Sequence, residues 1–160
     1  GEKIQWPCPS ENHPGTETLH TTGFKTKSEK GKLIPVEFKH AYELPDNDYP
    51  FILTTGRIRE HYHSRTMTGR VKGINEIVGD DFCFINEEDA KRLKLKDGDY
   101  VKVYSRRAKL KIKVKISDRI KKGVIFIPFH FYANLLTHNK LDPYSKIPEF
   151  KICACNIEKL

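Results

Sequence analysis

Strict alternation marks one segment of the chain: Leu110, Ile112, Val114 and Ile116 share one parity, and Lys109, Lys111, Lys113 and Lys115 share the other. A period of two predicts a strand with one face in a core and the other in water. Tyr100 to Tyr104 reads as its neighbouring strand, connected through Ser105-Arg106-Arg107. Val124 to Ile127 is a continuous apolar run ended by Pro128, and Phe51-Ile52-Leu53 is a short buried strand. From Asn86 to Leu93 the signal changes to a short helix: Asn86 caps it, three acids occupy its positive first turn, and Lys91 and Arg92 follow. Lys96-Asp97-Gly98-Asp99 and the stretch from Ser117 to Gly123 are turns. Short strands, tight turns and little helix predict a mainly β fold with short helices, in the form of a barrel.

The N-terminal third carries no such pattern. Residues 1–48 are rich in Pro, Gly, Thr and Lys, with only brief apolar runs at Leu33-Ile34 and Val36. So little apolar content predicts an irregular extended arm lying on a larger partner, with residues 49–160 forming the compact domain. A plain interdomain linker is the competing reading; Trp6 between Gln5 and Pro7 favours a docked arm. At 160 residues the chain supports one core. Gly1 stands where an initiator Met is expected, which reads as a processed product or an excised fragment.

Lys and Arg number 29 against 21 Asp and Glu, a formal charge of +8. That balance suits nucleic acid, an anionic membrane surface or a polyphosphate ligand. No arginine-rich tract, RNP-like aromatic motif or Cys/His finger accompanies it, so nucleic acid is not expected as a partner. The lysine row reads as a solvated outer face that discourages edge pairing. The 4 cysteines, Cys8, Cys83, Cys153 and Cys155, are too few and too unevenly spaced for a disulfide scaffold and favour a reducing, cytoplasmic compartment. No run is long and apolar enough to span a bilayer, so membrane insertion is not expected either.

The densest chemistry lies between Tyr49 and Gly69, where the strand ends in Thr54-Thr55-Gly56-Arg57. Gly56 lets the backbone approach an anion, and Arg57 offers a fork to phosphate. Glu60, His61, Tyr62, His63, Ser64, Arg65 and Thr68 follow, and the segment reads as a binding loop. His61 and His63 with Cys153 and Cys155 form a conceivable zinc set, but neither pair has finger spacing, and buried free thiols are the better reading. No metal ligand is assigned.

These residues carry a resemblance. Thr-Gly-Arg at 55–57, Glu60-His61, His63 and Met67-Thr68 closely resemble the C-terminal dinucleotide-binding domain of molybdopterin oxidoreductases of the DMSO reductase type, especially formate dehydrogenase catalytic subunits. Gln5 through Thr16 and Asn134 through Ala154 resemble the flanking blocks, in the right order. The resemblance implies a six-stranded double-psi β-barrel. It assigns Thr55, Gly56, Arg57, Ile58, Glu60, His61, His63 and Ser64, with Asn134, Phe150 and Lys151, to cofactor contact. The implied cofactor is bis-molybdopterin guanine dinucleotide with molybdenum or tungsten. An iron-sulfur cluster of the 4Fe–4S type and the metal ligand are expected upstream of this chain, and no catalytic residue within it. The implied reaction is two-electron oxidation of formate to carbon dioxide. The implied partners are upstream domains of the same subunit and an electron-transfer iron-sulfur subunit. Glu60 and His63 look more like nitrate reductase, which leaves nitrate as the rival substrate, and a free-standing barrel without redox chemistry is the rival from another class.

Overall fold

The computed structural model describes residues 4–160, so Gly1 lies outside the described residues. Six strands, β1 (Phe51–Gly56), β2 (Phe82–Ile85), β3 (Tyr100–Tyr104), β4 (Lys109–Ile116), β5 (Val124–Pro128) and β6 (Cys153–Lys159), close into a barrel. Two short helices, α1 (Lys72–Ile77) and α2 (Glu87–Arg92), lie on either side of β2 in sequence. Around the barrel the order is β1, β5, β2, β4, β3, β6. The pairs β1/β5 and β2/β4 are parallel and the other four antiparallel. Each parallel pair joins strands that are distant in sequence, so both connections cross the barrel. This is the double-psi β-barrel that the resemblance implied.

The alternation of β4 has its expected consequence. Ile112 and Val114 are buried, Leu110 and Ile116 pack at the edge of the same core, and Lys109, Lys111 and Lys115 are exposed. Facing them inside are Leu53, Ile85, Val101, Val103, Ile125, Ile127 and Ile157, together with the thiols of Cys83, Cys153 and Cys155. Fully burying each aliphatic side chain contributes about 1.5–3 kcal/mol, which offsets the ordering of the strands. The lysine face is held out over aromatic rings: Lys115 Nζ lies 3.9 Å from the Phe82 ring centroid, and Lys111 Nζ 5.1 Å from that of Tyr100.

The cap of α2 forms as its sequence directs, Asn86 accepting the Glu88 N–H at 2.9 Å. Asp89, in the same first turn, is buried and takes the Gly123 N–H at 2.6 Å and Arg92 at 3.0 Å. That acid therefore fixes the turn feeding β5.

The chain divides into two compact units, Gly1–Lys39 and His40–Leu160. In the first, the described residues contain no helix or strand. Thr16 closes a turn through its N–H to the Gln5 carbonyl at 2.8 Å and its hydroxyl to that of Pro7 at 2.6 Å. Leu33, Val36 and Phe38 are more than four-fifths exposed, at 96%, 86% and 83%. In the second, Glu43 is clamped by Arg106 at 2.8 Å, by both Arg107 terminal nitrogens at 2.9 and 2.8 Å, and by the Ala154 N–H at 2.9 Å. Burial pushes the Glu43 carboxyl up, but the bonds from Arg107, Ala154 and Arg106 outweigh it and hold the acid down at about 2.

Candidate functional site

Strand β1 is pinned by parallel pairing to β5 from Ile52 opposite Val124 to Gly56 opposite Pro128. Arg57 and Phe129 therefore leave the barrel side by side, and the Phe129 N–H donates to the Gly56 carbonyl at 3.0 Å. The Arg57 guanidinium stands 5.5 Å from the Phe129 ring centroid. The loop running into β6 returns to the same rim. The Thr55 hydroxyl donates to the Phe150 carbonyl at 2.9 Å, and Lys151 Nζ donates to the Thr55 carbonyl. Thr55, Arg57, Phe129, Asn134, Phe150 and Lys151 consequently line one cavity of about 320 Å³. No acid lines it. Asn134 and Lys151 are exposed at its rim, so a carboxamide, an ammonium and a guanidinium share a cleft with two aromatic rings.

Gly56 also has a packing reason to be glycine. A Cβ there would lie 2.6 Å from Cε2 and 2.9 Å from Cζ of Phe126. The absent Cβ leaves room for that ring against the end of β1.

The histidines of the loop are occupied. His61 is buried at 5% exposure, with Nε2–H donating to the Val78 carbonyl at 2.6 Å and Nδ1 meeting the Thr68 hydroxyl at 3.0 Å. It braces the loop and does not line the cleft. His63 is exposed, with φ of 44°, and its carbonyl accepts Nδ1–H of His130. His130 is itself buried, and its Nε2 accepts the Ile58 N–H at 3.0 Å. One neutral imidazole thus fastens both ends of the 58–63 segment. Glu60 is half-buried beside Arg59 at 3.6 Å, and Ser64 is exposed. Of the residues singled out in the sequence, Thr55, Arg57, Asn134, Phe150 and Lys151 come together in the cleft; Ile58, Glu60, His61, His63 and Ser64 form the braced loop beside it.

Farther along, Arg65 stacks 4.2 Å from the Phe131 ring centroid and donates to Asn75 at 3.0 Å, while Asn75 donates to the Gly69 carbonyl at 2.7 Å. Beneath lies Asp81, whose carboxylate oxygens are buried without a hydrogen-bond partner of ordinary geometry. Burial pushes this acid up to about 6, and the backbone N–H groups of Phe82 and Tyr132 and the Arg65 charge offset it only in part. Among the described residues no three His, Cys, Asp or Glu side chains are grouped to hold a metal. Cys153 and Cys155 are buried in the core, whereas His63 is exposed. No helix among the described residues is long and apolar enough to cross a membrane.

Residues 51–154 match the family model described as Molydopterin dinucleotide binding domain. The chain belongs to this family. It is 52% identical to the F420-dependent formate dehydrogenase subunit alpha of Methanocaldococcus jannaschii, over 98% of this chain and 24% of that protein. It is 38% identical to the periplasmic nitrate reductase of Desulfovibrio desulfuricans, over 96% of this chain and 23% of that protein. Among solved structures, acetylene hydratase from Pelobacter acetylenicus shares the fold at 18% identity, with a TM-score of 0.63 over 76% of this chain and 21% of that one. The chain spans about a quarter of the length of the curated relatives it matches.

The ligand class of this family is a molybdopterin dinucleotide. The donor set fits: an acid-free lining with Arg57 and Lys151 suits phosphate oxygens, and Phe129 and Phe150 offer faces to a planar ring. His130 follows an apolar run in the sequence, a context that does not distinguish a buried brace from a ligand contact.

Proposed function

We propose that this chain is the cofactor-binding domain of a formate dehydrogenase catalytic subunit and holds the guanine dinucleotide portion of a molybdenum or tungsten pterin cofactor. The observation that carries it is the acid-free cleft uniting Arg57, Asn134 and Lys151 with Phe129 and Phe150. The 52% identity to a formate dehydrogenase alpha subunit supports the choice of enzyme. When bound, the metal-pterin group supplies the two-electron chemistry, and this chain's residues supply position. Arg57 and Lys151 neutralise phosphate charge, Asn134 offers a carboxamide to a polar ring edge, and the His130 brace keeps the Arg57 loop from rearranging. The remaining domains of the subunit, with an iron-sulfur cluster and the metal ligand, and a separate electron-transfer subunit complete the enzyme, which works in the cytoplasm. Nitrate is the second reading, favoured by 38% identity to a nitrate reductase.

The test is Arg57→Ala in the full-length polypeptide. Losing a charge-assisted phosphate contact costs about 1.5–3 kcal/mol of cofactor binding. The expected result is partial loss of molybdenum or tungsten per subunit and lowered formate turnover, with the barrel still folded. Lys111→Ala, on the solvated face, leaves both unchanged. Full metal content and normal turnover in the Arg57 variant would sink the assignment, and turnover of nitrate but not formate by the wild type would select the second reading.

A further inference from the structure

Arg57 borders two concavities, and only one belongs to the cleft described above. The second, about 250 Å³, is lined by Arg57, Ile58, Phe84, Ser117, Arg119, Ile120 and Phe126. Its construction follows from the barrel. Phe84 of β2 lies opposite Phe126 of β5 in register, and their ring centroids are 6.1 Å apart, so the two rings form an aromatic floor. The turn after β4 brings Ser117 and Arg119 over that floor. It is fixed by the Ser117 N–H donating to the Ile85 carbonyl at 3.0 Å, and by the Arg119 N–H donating to the Ser117 hydroxyl at 3.2 Å.

The charge in this well is unusual for the molecule. Most of its arginines are engaged: Arg59 with Glu60, Arg65 with Asn75, Arg92 with Asp89, Arg106 with Glu43 and Asp46, and Arg107 with Glu43. Among the described residues Arg57, Arg70 and Arg119 make no side-chain hydrogen bond or ion pair, and two of those three line the same well. No acid lines it; the neighbouring Asp118 is exposed and outside the lining. The Ser117 hydroxyl accepts from Arg119 and keeps its own hydrogen to donate. Two arginines without a side-chain hydrogen bond or ion pair, Arg57 resting against Phe129, share the lining with a free hydroxyl hydrogen and two aromatic rings, a set that suits a phosphate attached to a planar heterocycle.

We propose that the well between Arg57 and Arg119 is a second anion site, continuous with the first across Arg57, which takes a phosphate group of a nucleotide. It rests on the reading of the first cleft as a dinucleotide site and deepens it: this one domain grips two phosphate positions, with Arg57 shared between them. Arg119 and Ser117 are the residues specific to the second.

The experiment uses the full-length polypeptide in wild-type, Arg57→Ala, Arg119→Ala, Arg119→Lys and Lys111→Ala forms. Inorganic pyrophosphate and GDP are titrated into cofactor-free protein. Dinucleotide in cofactor-loaded protein is counted as GMP released by acid, and the thermal midpoint checks folding. Arg119→Ala is expected to weaken pyrophosphate and GDP binding about tenfold, the scale of one partly solvated charge-assisted contact. Arg119→Lys keeps the charge and recovers part of that affinity, and Lys111→Ala matches wild type. Fewer dinucleotides per subunit in loaded Arg119→Ala protein assigns the phosphate to the cofactor. A full complement with weakened GDP binding assigns it to a free nucleotide. Wild-type affinity and wild-type dinucleotide content in Arg119→Ala overturn the second site; if Arg57→Ala is impaired in that case, the first cleft stands, and if it too matches wild type, both fall.

Discussion

At the scale of single residues, His130 and Asp81 are polar groups whose burial has a measurable cost. His130 is the first. Truncating it to alanine removes the partners of the half-buried Ile58 N–H and of the His63 carbonyl, and losing the partner of a group shielded from water costs about 1–3 kcal/mol. The His130→Ala variant is expected to unfold at lower denaturant concentration by that amount, and the Ile58 amide to exchange faster than amides of β4. An Ile58 amide as slow as in wild type would mean the brace is dispensable. Asp81 is the second, and its effect depends on pH. Its ordinary value is 3.8, whereas burial holds it at about 6 in the folded protein. Between those values the native state keeps a proton that the unfolded chain has released, so stability falls as pH rises from 4 to 6 and is level above. Asp81→Asn removes the ionisable group and should be more stable than wild type at pH 8, by about 1–2 kcal/mol after allowing for solvent that still reaches the side chain. At pH 4 the two should converge. Denaturant midpoints at both pH values measure this, and an Asn variant with no advantage at pH 8 would show that Asp81 ionises without cost.

At the scale of elements, legibility followed the period. The alternation of β4 identified its buried and solvated faces without error, because a strand with one wet face writes its orientation into the sequence. Its prediction is correspondingly sharp. Val114→Ala should cost about 1–3 kcal/mol of stability, whereas Lys111→Ala should stay within about 0.5 kcal/mol; equal costs would mean that the faces are exchanged. The capped helix α2 was equally plain. Strands β2 and β6 were not. Phe82-Cys83-Phe84-Ile85 is four residues with burial on both faces, and Cys153 to Ile157 mixes small, thiol and amide side chains, so neither carries a period to read. The helix α1 begins at Lys72 with no capping side chain and contains Gly73, the reverse of a helix signal. The cleft was half legible for a related reason. Thr55, Arg57, Asn134 and Lys151 are ordinary polar residues until parallel pairing of β1 with β5 and the return of β6 gather their ends at one rim. The second well, with Phe84 and Phe126 adjacent only through antiparallel pairing, left no local trace at all.

At the scale of the whole chain, the two units differ in what holds them. Residues 40–160 contain the closed barrel, its apolar core and the Glu43 clamp. Residues 4–39 are held by isolated turns, and Trp6, Leu33, Val36 and Phe38 face outward. Backbone amides resist exchange in proportion to the free energy of opening the structure around them, which is near zero for turns without a buried core and approaches the global value in barrel strands. In the isolated chain, amides of β3, β4 and β5 should therefore be protected by orders of magnitude more than those of residues 4–39. Within the full-length polypeptide we propose that the apolar side chains at 33, 36 and 38 are covered by the rest of the subunit, so protection of residues 31–39 should rise there while the barrel changes little. Exchange measured on both forms decides it. Equal protection of the arm in the two would show that it docks on nothing, and arm amides in the isolated chain as slow as those of β4 would show that it folds without a partner.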